Sequence, residues 1–240
     1  MSGRRIFIGD VQGCREELET LLEKLRFDPS GDEVHPVGDF VNRGPDSAGV
    51  LRLCREIDAG GVLGNHDLHA LRRWRGESKS KRRDTLNKLL AAKDADELMT
   101  WLSARPFVRA WRKTICVHAG FHPRWDDPVK LLEGRDSASE DEVTQFAVSV
   151  RHCTKDGERP STDWPPPGAP YRAWYEFWSE SSDHKETVVY GHWSQAGKVR
   201  EKKVRGLDTG CVWGGKLTAW IEQEDRFVSV DARSAHAPIS

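Results

Sequence analysis

Gly61-Val62-Leu63-Gly64-Asn65-His66-Asp67-Leu68 is a short apolar run bracketed by glycine that breaks abruptly into Asn-His-Asp. The pattern predicts a buried strand ending in a polar loop at a sheet edge, where sites form. Taken alone it also reads as a turn with a solvated histidine. Its company argues for a site. Apolar runs break into polar residues again at Gly9-Asp10-Val11-Gln12-Gly13, at Gly38-Asp39-Phe40-Val41-Asn42-Arg43-Gly44, at Val117-His118-Ala119-Gly120 and at Tyr190-Gly191-His192-Trp193.

Working outward, residues 4–8 read as a strand, and Leu18, Leu21, Leu22 and Leu25 fall at helical spacing over 15–25 with Glu16 and Glu17 near the helix start. A second strand follows at 33–37. Asp46 or Ser47 then caps a helix through Leu51, Leu53 and Ile57, which Gly60-Gly61 ends before a third strand. Such alternation implies β-α-β units with ligands beyond the carboxyl ends of the strands, where Asp10, Asp39 and Asn65 sit. Residues 68–104 turn helical, with Gly76 as an interruption, and carry the basic run Arg72, Arg73, Arg75, Lys79, Lys81, Arg82, Arg83 and Lys88. A solvated face explains such a run, but here it directly follows Asn-His-Asp and can reach over it.

Strands are expected at 107–111 and 114–117, a helix at 140–150, and a proline-rich loop at 159–170. Further strands follow at 188–190, 204–207, 216–223 and 226–230, the last two as a hairpin. The tail from Ser234 has no pattern and is expected to be disordered. The whole reads as one domain over 1–240, with a helical segment at 68–104 and a loop-rich insert at 123–186.

A chain of 240 residues suffices for one sizeable core. Charged residues make up 31%, yet the net charge is −1, so no global basic field announces nucleic acid or an acidic membrane and any polyanion must be held locally. No apolar run approaches membrane-spanning length or a signal-peptide core, so a soluble, cytoplasmic protein is expected. The 5 cysteines are scattered without C-x-x-C spacing, which argues for buried free thiols rather than a disulfide framework or zinc knot. The 10 tryptophans are assigned to packing.

Carboxylate, carboxamide and imidazole groups at strand ends suit divalent Mn²⁺, Fe²⁺, Co²⁺ or Zn²⁺. Asp39 is a natural bridge, with Asp10 and Gln12 on one ion and Asn65, His118 and His192 on the other. Two ions about 3.5–4 Å apart can activate a hydroxide and stabilise an in-line displacement at phosphorus.

The ordered set G-D-x-x-G, G-D-x-x-x-R-G, G-N-H-D, H-A-G and G-H resembles the calcineurin-like metallophosphoesterases. Leu207-Asp208-Thr209-Gly210-Cys211-Val212-Trp213-Gly214-Gly215-Lys216-Leu217-Thr218, with Gly64-Asn65-His66-Asp67-Leu68-His69, closely resembles the symmetrical diadenosine tetraphosphatases within that superfamily. The likeness runs from Ile6 to about Thr218. It implies an α/β fold, a β-sandwich flanked by helices with a helical cap segment. It implies Asp10, Asp39, Asn65, His118 and His192 as metal ligands, Arg43 on phosphate, and His66 as the acid that protonates the leaving group.

The activity so implied is cleavage of diadenosine tetraphosphate to two ADP by a hydroxide bridging two divalent ions, Mn²⁺ first, with Co²⁺, Fe²⁺ or Zn²⁺ as alternatives. Asn42 and Arg43 would meet the substrate, and Arg72, Lys81, Arg82 and Arg83 would grip the remaining phosphates. Capped RNA 5′ ends are a second polyphosphate substrate open to the same chemistry. No membrane and no obligate protein partner are indicated.

Two departures matter. The superfamily's G-D-x-H-G has Gln12 in place of histidine, a weaker ligand that loosens the first metal. The protein-phosphatase pattern G-D-x-V-D-R-G has Asn42 where a second aspartate orients the acid. A serine alkoxide needs a well-supported acid, whereas a nucleoside diphosphate leaves through an oxygen of pKa about 6. Asn42 therefore argues against a phosphoprotein phosphatase, and removes a charge that would repel a polyphosphate. A nucleotide-binding module with an impaired metal centre is the third reading.

Overall fold

A computed structural model describes residues 3–237. The chain runs β1 (Arg5–Ile8), α1 (Arg15–Leu25), β2 (Glu33–Pro36), α2 (Ser47–Glu56), α3 (Asn65–Trp74), α4 (Asn87–Leu90), α5 (Ala95–Ser103), β3 (Val108–Ala110) and β4 (Thr114–Val117). It continues through α6 (Pro128–Leu132), α7 (Glu142–Ser149), β5 (His152–Cys153), β6 (Arg172–Ala173), α8 (Trp174–Glu180), β7 (Thr187–Tyr190), β8 (Val199–Glu201), β9 (Val204–Gly206), β10 (Lys216–Ile221) and β11 (Arg226–Asp231). Two sheets dominate, ordered β11-β10-β1-β2 and β3-β4-β7-β9-β8.

Their inner strands are buried on both faces, which is why they read as unbroken apolar runs. Successive side chains serve different layers. Phe7, Cys116, Val189 and Trp220 form the seam between the sheets with Val37, Val62 and Leu207. Their neighbours Ile6, Ile8, Ile115, Val117, Val188 and Tyr190 face the helices and join the larger core. Within the sheets β1 runs parallel to β2, and β4, β7 and β9 run parallel to one another, whereas β10, β11, β3 and β8 pair antiparallel with their neighbours. The carboxyl ends of these five parallel strands carry Asp10, Asp39, His118, His192 and Asp208.

Helices α1 and α2 form where periodicity and caps predict them; Asp46 accepts from Gly49 N at 2.8 Å at the start of α2. β10 and β11 pair as the expected hairpin, and all five cysteines are buried and free. No helix among the described residues is long and apolar enough to cross a membrane.

Three expectations need correction. Residues 61–63 are buried beside β2 but are not a strand: Val62 N donates to Pro36 O at 3.2 Å and Gly61 N to His35 Nδ1 at 3.3 Å, and no regular ladder forms. Asn65 opens α3 rather than a loop. Asp67 explains this, because its Oδ2 reaches back to accept from Gly64 N at 2.9 Å, a cap at the third helical position. The helical stretch expected at 68–104 is three helices, with residues 75–86 irregular after Gly76, whose φ is +78°. The tail is ordered at 234–237, where His236 N and Ala237 N donate to Val212 O and Ala235 bridges Trp213; residues 238–240, like 1–2, lie outside the described residues.

Candidate metal centre

Asp39 is the hub. Its Oδ1 accepts from His66 N at 2.8 Å and lies 3.5 Å from His118 Nε2, and its Oδ2 accepts from Gln12 Nε2 at 3.3 Å. A Cβ on Gly64 would stand 2.2 Å from Asp39 Oδ1, so only glycine lets α3 begin here. Asp10 accepts the His192 N–H on both oxygens, at 3.0 and 3.1 Å. Ligand atoms of Asp10, Asp39 and His118 all lie within 4.8 Å of one another.

The histidine tautomers show what fits between them. His118 Nδ1 is 3.0 Å from the Val37 carbonyl and His192 Nε2 is 3.2 Å from the Ser149 carbonyl, so those nitrogens carry the protons. Burial holds the His192 pKa well below the ordinary value, with the Arg151 charge adding to it, so that ring is neutral. The inward nitrogens are then lone pairs. They converge on Asn65 Oδ1, at 3.1 Å from His118 Nε2 and 2.9 Å from His192 Nδ1, beside the Asp39 carboxylate. Two imidazole lone pairs, a carboxamide and a carboxylate make a donor set suited to a divalent cation.

Charge makes the same demand. Asp10, Asp39 and Asp208 are only 3%, 1% and 6% exposed. Burial raises the Asp10 pKa well above the ordinary range, with the Asp208 and Asp39 charges next in effect. Burial likewise pushes Asp208 up to about 7, with Gly210 N–H opposing and Asp39 adding. Divalent cations relieve such crowding, so the residues fit the group.

His66 stands beside this set. Its Nε2 is 4.0 Å from Asp39 Oδ2, and its Nδ1 accepts from Asn42 Nδ2 at 3.0 Å. The Asn42 amide cannot be reversed, because Asn42 Oδ1 accepts from Arg43 N at 2.9 Å and Thr85 N at 3.1 Å, while Nδ2 also donates to Asp84 Oδ1 at 3.3 Å. His66 therefore keeps its proton on Nε2. Burial lowers its pKa, Asp39 opposing and Arg43 adding to the fall. Asn42 thus still orients the histidine, with the hydrogen bond running the opposite way from an aspartate's.

Asp84 anchors this arrangement from behind. Its side chain is 2% exposed and accepts from His69 Nε2 at 2.9 Å, Arg73 Nη1 at 2.8 Å and Lys81 N at 2.9 Å. Burial works against the charge, but Lys81 N–H, His69 and Arg73 together hold its pKa down at about 2.

The central cavity, of about 350 Å³, is lined by Gln12, Asp39, Asn65, His66, Arg151, His192, Asp208 and Trp213 among others. Gln12 turns its amide nitrogen, not its oxygen, toward Asp39. Arg43 lines a neighbouring cavity instead and donates to Arg83 O at 3.1 Å. Arg72 is ion-paired with Glu140 and shares a third cavity with Lys81, while Arg82 and Arg83 are exposed. The basic run is therefore not gathered over the metal centre. Sequence reasoning missed Asp208, although the Leu207-Asp208-Thr209-Gly210 motif held it, and Arg151 and Asp84, which no motif marks.

Two buried sheets whose parallel strand ends converge on carboxylates, a carboxamide and imidazoles define a metallohydrolase scaffold, and the chain belongs to the calcineurin-like phosphoesterase family, whose model matches residues 3–230. It is 36% identical over 266 aligned positions, covering 93% of this chain and 96% of the relative, to the Shewanella putrefaciens protein named bis(5′-nucleosyl)-tetraphosphatase, symmetrical. A crystal structure provisionally assigned as a diadenosine tetraphosphatase matches with a TM-score of 0.76 at 33% identity, covering 97% of this chain and 95% of the other. A protein serine/threonine phosphatase from Saccharomyces cerevisiae matches at a TM-score of 0.63 and 12% identity, covering 99% and 82%, and shares the fold alone.

Proposed function

We propose that this chain is a metal-dependent hydrolase that cuts a dinucleoside tetraphosphate symmetrically, turning diadenosine tetraphosphate into two ADP in the cytoplasm with manganese as resident ion. What supports this most is the convergence of Asp10, Asp39, Asn65, His118 and His192 beside one cavity, in a chain 36% identical to a relative named for that reaction. Asp39 would hold both ions, Asp10 and Gln12 one, and Asn65, His118 and His192 the other. Two divalent ions supply Lewis acidity and lower the pKa of water.

The chain's own residues do the rest. His66 offers Nε2–H to the departing phosphate oxygen, whose pKa of about 6 needs a hydrogen bond more than a full proton transfer. Arg151 meets phosphoryl oxygens from the cavity wall, and Arg43 does so from the His66 side. Lys81, Arg82 and Arg83 serve the distal phosphates from solvent; Arg72 joins them only by releasing Glu140.

Incubation with Mn²⁺ and diadenosine tetraphosphate, with products separated, tests the reading. ADP as sole product is expected. ATP plus AMP overturns the symmetric assignment, and tight binding without turnover points to a binding module. A parallel assay on a phosphopeptide should show far slower release, because Asn42 and the neutral His66 disfavour a serine leaving group.

A further inference from the structure

One large apolar side chain stands out from the packing role expected of the tryptophans. Trp164 is 65% exposed, the most exposed large apolar residue among the described residues. It is not loosely held. Thr162 Oγ1 accepts from Trp164 N at 3.2 Å and donates to Trp164 O at 2.9 Å, fixing the backbone that presents the ring.

Trp164 rims a cavity of about 420 Å³ that also contains Trp193, His152 and Thr162. His152 meets Trp193 edge-on with ring centroids 4.5 Å apart, and Asp163 steadies His152 through its Nδ1 at 3.0 Å. This cavity shares Arg151 and Gln195 with the wall of the metal-centre cavity, which neither the cavity of Arg43 nor that of Arg72 and Lys81 does. At the shared wall the Arg151 guanidinium reaches Asp163 only at 3.5 Å, and its buried Nε finds no acceptor among the described residues.

Aromatic faces beside a metal centre, with an under-satisfied arginine at the boundary, match a group that is flat at one end and anionic at the other. Phosphate chemistry alone does not use a tryptophan. The cavities holding Arg72 and Lys81, or Arg43 and Lys88, contain no Trp, Tyr or Phe, and suit phosphates by charge.

We propose that the Trp164–Trp193 cavity is a nucleobase subsite that takes one purine nucleoside of the dinucleotide, with its phosphates passing Arg151 to the metals. The proposal rests on the dinucleotide reading and names the part of the substrate held there. The base stacks on Trp164, Thr162 and Gln195 offer hydrogen-bonding atoms to its edge, and exposed indole surface is covered on binding.

Binding to the full-length, Mn²⁺-loaded protein is measured with ADP and with inorganic pyrophosphate, for wild type, Trp164→Ala and Trp164→Phe. Wild type should prefer ADP about tenfold, equivalent to about 1.4 kcal/mol and typical of one stacked base. Trp164→Ala should bring ADP within about twofold of pyrophosphate, and Trp164→Phe should retain most of the preference. With diadenosine tetraphosphate, Trp164→Ala should raise KM about tenfold and move kcat far less. An ADP preference undiminished in Trp164→Ala, or absent in wild type, overturns the subsite and leaves the hydrolase reading intact. Failure of wild type to cleave the dinucleotide overturns the hydrolase reading instead, and the comparison of ADP with pyrophosphate still decides the subsite.

Discussion

Asn42 donates to His66 Nδ1 at 3.0 Å, so the histidine faces the metal centre with a proton already on Nε2. An aspartate here would accept from Nδ1–H, favouring the imidazolium or, in the neutral ring, the tautomer with a bare Nε2. Asn42→Asp should therefore raise the His66 pKa. As pH rises through that raised value the variant loses its Nε2 proton, so its kcat should fall on the alkaline side where wild type holds level. A pH–rate profile checks this, and superimposable curves count against the tautomer assignment.

His66 lies outside the converging lone pairs, with Nε2 4.0 Å from Asp39 Oδ2. His66→Ala should lower kcat by about 100-fold or more while leaving bound metal unchanged. Metal content by elemental analysis, set beside kcat, separates the roles. Loss of metal would make His66 a structural support of Asp39.

Asp84 ties residues 81–84 to α3 through His69 and Arg73 and steadies Asn42. Asp84→Asn removes a buried charge with several donors and should destabilise the fold by about 2–4 kcal/mol, read by urea unfolding. The pH dependence has a definite sign. The folded pKa of about 2 lies below the unfolded value of about 4, so the carboxylate's contribution is complete above pH about 4 and is lost as pH falls toward 2. Wild type should lose about 1–2 kcal/mol more than Asp84→Asn over that interval once solvent screening is allowed for.

Asp10, Asp39 and Asp208 crowd buried negative charge that divalent ions relieve. Saturating Mn²⁺ at about 100 times its Kd should stabilise the protein by about 2.7 kcal/mol, raising Tm by about 5–10 °C, and chelation should reverse the gain. Asp39→Asn should abolish most of that response. A Tm indifferent to Mn²⁺ and chelator would argue against metal binding at these carboxylates.

Much of this was legible in the sequence because it depends on local patterning. Apolar runs buried on both faces marked β1, β4 and β7, and the break into polar residues after these strands and after β2 marked Asp10, His118, His192 and Asp39. The third run misled, because Val62 and Leu63 are as buried as a strand while Asp67 caps a helix starting at Asn65. Burial and apolarity are common to both conformations; the ladder is not.

By itself the sequence determined which donor types stand at which strand ends, and so the family and the class of metal. Tertiary structure decided how they point. Gln12, Asp39, Asn42, Arg43 and His192 all take positive φ, a choice that Asn, Asp and His tolerate but that is strained at Gln12 and Arg43, where only the surrounding packing enforces it. It also decided that Val37 and Ser149 carbonyls turn two imidazole lone pairs inward, that Asp84 reaches Asn42 across 42 residues, and that Trp164 is left in solvent next to Arg151. Each is a meeting of groups distant along the chain, set by the packing of two sheets rather than by any local preference.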